Sequence, residues 1–223
     1  MVKQEIPLNK KNSSLRFAAF YEWMTNRPAA RRFIDPLRQE IAGQARGIVL
    51  EVGAGGGQNF PFYQPAQVER VEAVEPDEAM LAYAERRLST ARVPVHLMQA
   101  AAEVLPFPDA HFDSVLVTLV FCSVSDPQRG LREIWRVLKP GGALLLLEHV
   151  RAQGKLTARI QDMLVPLTTR CFCLGNCHWN RDTLRTVRET GFEVSRVQQV
   201  RGGLQPVLSI AANRPRMHEE IPS

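Results

Sequence analysis

The sequence predicts a doubly wound α/β fold, in which helices cover both faces of a seven-stranded, mostly parallel sheet. Strand-like and helix-like segments alternate from residue 48 onward, as in a series of right-handed β–α–β crossovers. Segments 112–119 and 143–149 are almost wholly apolar, which is typical of strands with helices on both faces. Glycines at 53, 55 and 57 follow the first predicted strand, where folds of this class turn sharply against a ligand.

Ahead of the sheet, residues 1–46 are expected to form an N-terminal helical cap. The first dozen residues are polar and are expected to be frayed. The spacing of apolar residues from Leu15 to Ile41 predicts helix, and Pro28 is expected to interrupt it because proline has no N–H to donate. Residues 47–214 would form the ligand-binding part of a single domain, followed by a C-terminal tail at 215–223.

Apolar and β-branched segments predict the first five strands of the sheet. They lie at 48–52, 70–75, 93–98, 112–119 and 143–149. Helices are predicted at 77–89, with Asp77 as the N-cap, and at 127–138.

The C-terminal part of the chain continues the alternation and ends in a hairpin. Residues 154–170 are expected to be helical or irregular, and a capped helix is expected from Asn180 to Glu189. Two β-like segments, 192–200 and 204–212, are joined around a Gly-Gly pair. Such a pair suits a tight turn, so the last strand is expected to run antiparallel to its neighbour.

Composition limits the class of protein and its location. The chain has 223 residues, of which 45% are hydrophobic and 23% charged, as is ordinary for a globular protein. No apolar stretch approaches the roughly 20 residues that a membrane helix needs, and residues 1–7 lack the apolar core of a secretion signal. Three of the four cysteines lie between 171 and 177, which does not resemble a disulfide framework. We therefore expect a cytoplasmic protein.

Charge is unevenly distributed along the chain. Residues 47–150 carry eight Lys/Arg and 13 Asp/Glu, whereas 1–46 carry nine against four and 151–214 carry ten against four. The basic flanks are consistent with solvated helix surfaces. They would also suit attraction to an anionic membrane surface, an acidic substrate or nucleic acid.

Glycines and acids around the first two strands predict the ligand. Glu51 stands two residues before Gly53, with Gly55 and Gly57 following, and Glu75 ends the second strand. An acid at the end of the second strand, as Glu75 is, is placed to accept hydrogen bonds from both hydroxyls of a ribose. The glycine N–H groups, opening a helix near residue 58, would face the methionine end of S-adenosylmethionine (SAM), and Glu51 would add negative charge near its sulfonium. The pattern therefore predicts a SAM-dependent methyltransferase.

Further residues are predicted to contact the cofactor. Met80 is expected to pack near the adenine, and Ala102 and Glu103 to edge it. Thr118 and Leu119 end the fourth strand, where ligands bind in open α/β sheets. A nicotinamide dehydrogenase also has glycines followed by an acid. Membership of that class would not account for Glu51 or for the Leu-Lys-Pro-Gly-Gly segment at the end of the helix predicted at 127–138.

Three residues are candidates for a role at the acceptor. His149 ends the fifth strand and could act as a base or orient the acceptor; a polar histidine with no catalytic role is the equal alternative. Tyr21 and Trp23 could cover the reacting methyl group from the N-terminal helix, or pack in the core.

Metal and nucleic-acid chemistry are not expected from the motifs. Cys171, Cys173, Cys177 and His178 lie within eight residues and match no standard zinc spacing; semi-buried thiols over the acceptor pocket are the preferred interpretation. The segment 118–121 is Thr-Leu-Val-Phe, which is not the Asn/Asp-Pro-Pro-aromatic segment of base methyltransferases. We therefore expect no bound metal and no nucleic-acid partner.

The motifs resemble those of the class I SAM-dependent methyltransferases of the type-11 group, over about residues 48–150. The matching residues are Glu51-x-Gly53-x-Gly55, Glu75-Pro76, Ala102-Glu103-x-Leu105-Pro106-Phe107, Asp113 and Leu138-Lys139-Pro140-Gly141-Gly142. Within that group the chain is similar to the alkyl thiol S-methyltransferases. That similarity lies at 118–124, 131–133, 136–138, 148–150, 175–177 and 181–183.

The resemblance implies SAM as cofactor, Pro76 beside it, and a small apolar acceptor, with a thiol first. A phospholipid amine or a quinone-type ring is the second expectation for the acceptor. A SAM-binding protein without catalysis is a more distant alternative. The sequence leaves the oligomeric state open.

Overall fold

The computed structural model describes residues 8–170 and 177–216. Seven strands form one sheet, in the order β3-β2-β1-β4-β5-β7-β6. They are β1 (Gly47–Val52), β2 (Val68–Val74), β3 (Val95–Met98), β4 (Phe112–Thr118), β5 (Leu138–His149), β6 (Glu193–Arg201) and β7 (Val207–Asn213).

Along the sheet from β3 through β2, β1 and β4 to β5, each strand is parallel to its neighbour. The strand β7 is antiparallel to both β5 and β6. The predicted fold class and the predicted antiparallel last strand are both confirmed. The chain reverses its direction of travel across the sheet between β1 and β4, which is where ligands bind in doubly wound folds.

Six α-helices surround the sheet in the described residues. They are α1 (Leu8–Thr25), α2 (Pro28–Ala42), α3 (Glu78–Arg87), α4 (Pro127–Val137), α5 (Lys155–Arg170) and α6 (Thr183–Glu189). The break at Pro28 is confirmed, and Asp77 caps α3 by accepting hydrogen bonds from the N–H groups of Ala79 and Met80.

Two of the predicted helix ends are wrong. The N-terminal helix begins at Leu8, so part of the stretch that was expected to be frayed is helical. Asp182, rather than Asn180, caps the last helix, because its carboxylate accepts a hydrogen bond from the N–H of Arg185.

A bulge interrupts the start of β5. Phe112 pairs with Leu138, and the next pair is Ser114 with Ala143, so that β5 advances five residues while β4 advances two. Gly141 lies in this insertion with φ +81°, a conformation that glycine adopts without strain. The Leu-Lys-Pro-Gly-Gly segment is therefore part of the strand and sets its register.

Two apolar cores lie on opposite faces of the sheet. Successive residues of β5 alternate between them, with Leu144 and Leu146 in one and Leu145 and Leu147 in the other. The helices α4 and α6 pack on the first core, and α2 and α3 on the second. This burial on both sides explains the apolar runs in the sequence.

Within the described residues, no helix combines the length and the apolar character needed to cross a bilayer.

Candidate functional site

A cavity of about 1130 Å³ opens at the carboxyl ends of the parallel strands. Its floor comes from the ends of β1, β2, β4 and β5, and α1 and α2 cover it. We call the part near Gly53, Gly55, Glu75 and Met80 the glycine end, and the part near Cys122, His149, Cys177, Trp179 and Leu204 the histidine end. Since β2 and β5 are three strands apart in the sheet, the two ends are separated by roughly 14 Å.

The glycine loop turns off β1 against the end of β2. The N–H groups of Gly53 and Ala54 both donate to the carbonyl of Val74, at 2.8 and 3.0 Å. Gly53 has φ +68° and Gly55 φ +56°, so a residue with a side chain would be strained at either position. The loop thereby brings bare backbone to the cavity.

The helix expected near residue 58 does not form, and that prediction is wrong. The loop continues into a single 3-10 turn at Phe60–Phe62. Pro61 and Pro65 interrupt the segment, and neither can donate an α-helical hydrogen bond. The glycine loop therefore does not lead into a helix N-terminus, and the N–H groups of Gly53, Ala54, Gly55 and Gly57 are already hydrogen-bonded within the protein.

Glu75 is held in place by the loop that it faces. Its Oε2 accepts a hydrogen bond from the N–H of Gly55 at 2.9 Å, and its Oε1 accepts one from the N–H of Asp77 at 3.0 Å. Burial raises the pKa of this carboxyl to about 7, against the opposing effect of those two hydrogen bonds. The carboxylate lines the glycine end of the cavity.

The raised pKa of Glu75 predicts that the cofactor-free protein loses stability as pH rises. The pKa of Glu75 in the folded protein lies above the ordinary 4.5. Its contribution to the free energy of unfolding is therefore complete below about pH 4.5, falls as the pH rises, and is lost above about pH 7, with a magnitude of about 3 kcal/mol. Urea unfolding at pH 5 and pH 8 measures it. Glu75→Gln cannot ionise, so we expect its free energy of unfolding to depend less on pH. Equal pH dependence in the two proteins would contradict the assignment.

Glu51 lies behind the cavity wall, not in it. It is buried, its Oε1 accepts a hydrogen bond from Asn59 at 2.9 Å, and its Oε2 accepts one from the Tyr63 hydroxyl at 2.7 Å. Burial raises its pKa to about 6, although these hydrogen bonds and the charge of Arg38 oppose the shift. A carboxylate in this position can reach a ligand in the cavity only through its charge. Gly57 likewise lies outside the cavity lining.

Arg38 is a buried cation at the cavity wall that the sequence reasoning missed. Its Nη1 donates to Asn59 Oδ1 at 2.8 Å and to Thr118 Oγ1 at 3.2 Å, and its Nε has no hydrogen-bond partner among the described residues. The signal lay in α2, where Ile34, Arg38 and Ile41 share one helix face. A charge on an otherwise apolar face indicates an interaction inside the protein.

Most other predicted cofactor residues line the cavity. They are Pro76, Met80, Ala102, Glu103, Thr118 and Leu119. Glu103 also caps the loop before α4, since its Oε1 accepts hydrogen bonds from the N–H groups of Ser125 and Asp126. Leu119 has φ +58°, a strained conformation for a residue with a side chain, at the point where β4 ends against the cavity.

The helix α1 is fastened over the glycine loop by one buried acid. Glu22 forms a 2.7 Å ion pair with Arg87 of α3 and accepts a hydrogen bond from Gln58 at 2.7 Å. Arg87 also donates to the carbonyl of Gly56. A cavity closed on this side can hold a ligand away from water.

The structure separates the two aromatic candidates of α1. Tyr21 lines the cavity, and burial raises the pKa of its hydroxyl. Trp23 is 56% exposed, and the Arg27 guanidinium lies 4.2 Å from its ring centre. Trp23 therefore belongs neither to the cavity lining nor to the core, and both expectations for it are wrong.

The histidine end gathers thiols around His149. The hydrogen bond between Cys122 and Cys177 raises the pKa of Cys122 well above its usual value, and burial adds to this. The same hydrogen bond lowers the pKa of Cys177. Cys171 and Cys173, also predicted to lie over this pocket, fall outside the described residues.

One fully buried amide joins the segments around the histidine end. Gln161 Oε1 accepts a hydrogen bond from the N–H of Ala152 at 2.7 Å. Its Nε2 lies 3.1–3.3 Å from the carbonyl oxygens of Val150, Trp179 and Leu204. This side chain fixes three separate segments relative to α5.

The chain is similar to known methyltransferases in sequence and in fold. A family model described as "Methyltransferase domain" matches residues 50–146. The thiol S-methyltransferase TMT1A of Homo sapiens is 31% identical over 199 residues, which cover 85% of this chain and 78% of that protein. The ubiquinone/menaquinone biosynthesis C-methyltransferase UbiE of Shewanella sp. (strain ANA-3) is 35% identical over 137 residues, 59% of this chain and just over half (55%) of the relative.

The fold also resembles a solved structure of geranyl diphosphate C-methyltransferase from Streptomyces coelicolor A3(2), in complex with Mg²⁺, geranyl diphosphate and S-adenosyl-L-homocysteine. The TM-score is 0.66 at 16% identity, over 83% of this chain and 80% of that one. At this identity the likeness concerns the fold.

Proposed function

The chain belongs to the class I SAM-dependent methyltransferases of the type-11 group, and on that premise we propose that it methylates a small thiol. The observation that supports this proposal is the likeness to the thiol S-methyltransferase TMT1A, which covers 85% of the chain. The likeness therefore extends beyond residues 50–146, which the family model matches. The segments outside that core, α1, α2 and the residues after β5, cover the cavity and would contact the acceptor.

In this proposal the glycine end holds the cofactor. Glu75 would bind the ribose hydroxyls, and the glycine loop would approach the methionine part. The unpartnered Nε of Arg38 gives the cofactor carboxylate a buried cation to pair with. The negative charge of Glu51, behind the loop, would stabilise the sulfonium.

The acceptor would lie at the histidine end, between Tyr21, His149 and Trp179. Methyl transfer needs an in-line approach of the nucleophile to the methyl carbon, so alignment and exclusion of water supply most of the catalysis. A thiol with a pKa of about 8.5 is partly ionised at neutral pH and needs little help from a base. The helices over the cavity supply the exclusion of water.

Production of S-adenosylhomocysteine by the purified protein tests this function. The acceptors compared are an alkyl thiol, hydrogen sulfide, a phospholipid amine, a demethylquinone and tRNA. We expect turnover with the thiol. Turnover with the demethylquinone alone would replace the proposal with ring methylation, a second candidate that the UbiE relatives favour.

We also propose that α5 contacts anionic membranes, where apolar acceptors concentrate. Leu156 and Met163 are 72% and 77% exposed, and Ile160 and Leu164 are exposed on the same helix. Leu156, Ile160 and Leu164 follow one another at intervals of four positions, and Met163 lies three positions after Ile160. The four residues therefore form one apolar face. Residues 151–214 carry six more basic than acidic residues, ten against four, which favours an anionic surface.

Replacing Leu156 and Met163 together with serine is expected to weaken binding to phosphatidylserine vesicles by about 10-fold or more, since each side chain would lose burial in the lipid. Vesicle co-sedimentation measures it. The control is Val104→Ser, which replaces another exposed apolar residue (59%) that lies outside this face. If the double variant and the control bind alike, α5 is not the contact.

A further inference from the structure

Three potential metal ligands meet at the histidine end of the cavity. The Sγ atoms of Cys122 and Cys177 and a ring nitrogen of His149 all lie within 4.8 Å of one another. Cys122 follows β4, His149 ends β5 and Cys177 follows α5, so only the folded chain brings them together. Of the Cys171, Cys173, Cys177 and His178 cluster seen in the sequence, only Cys177 belongs to this set.

His149 is left without a partner at one nitrogen. Its Nδ1 is buried and makes no hydrogen bond within the described part of the chain. A buried ring nitrogen without a partner costs free energy. A cation bound at this nitrogen would satisfy it.

We propose that Cys122, His149 and Cys177 bind a zinc ion whose fourth coordination position faces the cavity. Two thiolates and an imidazole are the donors that Zn²⁺ prefers, and three protein ligands with an open position are typical of catalytic zinc. Zn–S bonds of about 2.3 Å and Zn–N bonds of about 2.0 Å place tetrahedral ligand atoms roughly 3.5–3.8 Å apart. Since the ligand atoms lie within 4.8 Å of one another, the three side chains need to close by about 1.3 Å at most.

The surrounding backbone holds these ligands in position. The N–H of His178 donates to the carbonyl of Cys122 at 2.6 Å. Arg181 donates to the carbonyls of Phe121 and Val124, both at 2.6 Å. The two cysteine-bearing segments are thus joined directly, as the supporting groups around metal sites usually are.

All three ligands line the same cavity as the predicted cofactor residues, so the open position would lie where an acceptor sits. The following step rests on the proposed function. An acceptor thiol would coordinate zinc and release its proton to water. Its sulfur would then attack the SAM methyl, so that a sulfur–methyl bond forms and the methyl–sulfonium bond breaks, leaving the electron pair on S-adenosylhomocysteine. The thioether is a weak ligand and would leave the metal.

The metal content of the purified, reduced protein and its titration with Co²⁺ test the site without any acceptor. We expect one zinc per chain and, with cobalt, a thiolate charge-transfer band with the visible bands of tetrahedral geometry. Cys122→Ser, Cys177→Ser and His149→Asn are each expected to weaken cobalt binding by at least about 10-fold. The control is His96→Asn. His96 lies on the edge strand β3 with its ring against Glu72, so this variant should bind cobalt as the unchanged protein does. No cobalt–thiolate band in the unchanged protein would overturn the inference.

Thiol turnover separates this inference from the proposed function. Metal-loaded protein that shows the cobalt band but no turnover supports the site and contradicts the thiol function. Turnover at an undiminished rate in protein freed of metal overturns the zinc step and leaves the function standing. A shift of the cobalt bands on adding an alkyl thiol, absent in Cys177→Ser, would support coordination of the acceptor itself.

Discussion

Replacing Glu75 with alanine is expected to weaken SAM binding by about 10²-fold or more and to lower turnover accordingly. A carboxylate that accepts both ribose hydroxyls makes two charge-assisted hydrogen bonds, each contributing about 1.5–3 kcal/mol. Each 1.4 kcal/mol changes the dissociation constant about tenfold. Isothermal titration with SAM measures the affinity directly.

The matched control for Glu75→Ala is Glu72→Ala in the same strand. Glu72 accepts hydrogen bonds from Arg70 and lies against His96, and it is absent from the cavity lining. We expect SAM affinity to be unchanged in that variant. Thermal unfolding of both variants checks that they are folded. Unchanged affinity in a folded Glu75→Ala protein would remove Glu75 from the cofactor site.

Replacing Gly57 with alanine is expected to lower the free energy of unfolding by about 2–5 kcal/mol. Gly57 has φ +79°, and a Cβ there would lie 2.4 Å from Cε2 of the fully buried Phe60 ring. The left-handed conformation costs a residue with a side chain about 1–2 kcal/mol, and crowding the ring costs about 1–3 kcal/mol more. Urea unfolding at a fixed pH measures the change.

Gly203→Ala separates the backbone contribution to that cost from the contribution of crowding the Phe60 ring. Gly203 has φ +84°, but a Cβ there would meet no atom within 4 Å. Its substitution should therefore cost only the backbone term of about 1–2 kcal/mol. Equal losses for Gly57→Ala and Gly203→Ala would show that packing against Phe60 does not account for the glycine at 57.

The fold was predictable because local patterns decide it. Apolar runs, glycine turns and Asp77 at a helix start are visible within a few neighbouring residues, and each reports its own element. Boundaries were less certain where two signals compete. Asn180 and Asp182 are both residue types that cap helices, and in the structure Asp182 is the N-cap of α6.

The candidate site was predictable only where it is local in sequence. The glycine loop and Glu75 follow two adjacent strands, so their proximity follows from the parallel sheet. Cys122, His149 and Cys177 are 27 and 28 positions apart, and no periodicity connects them. Arg38 meets Asn59 and Thr118 across the fold, which a single sequence does not specify.

The buried amide of Gln161 has a consequence for how acceptors enter. Four backbone groups, from Val150, Ala152, Trp179 and Leu204, lie within hydrogen-bonding distance of this one side chain. A segment that lifts away alone breaks its contact with Gln161, so we expect these segments to separate together as one cooperative unit. We expect amide exchange at Ala152, whose N–H donates to Gln161, to report how often this unit opens. An acceptor too large for the opening that the structure shows could not reach His149 faster than that.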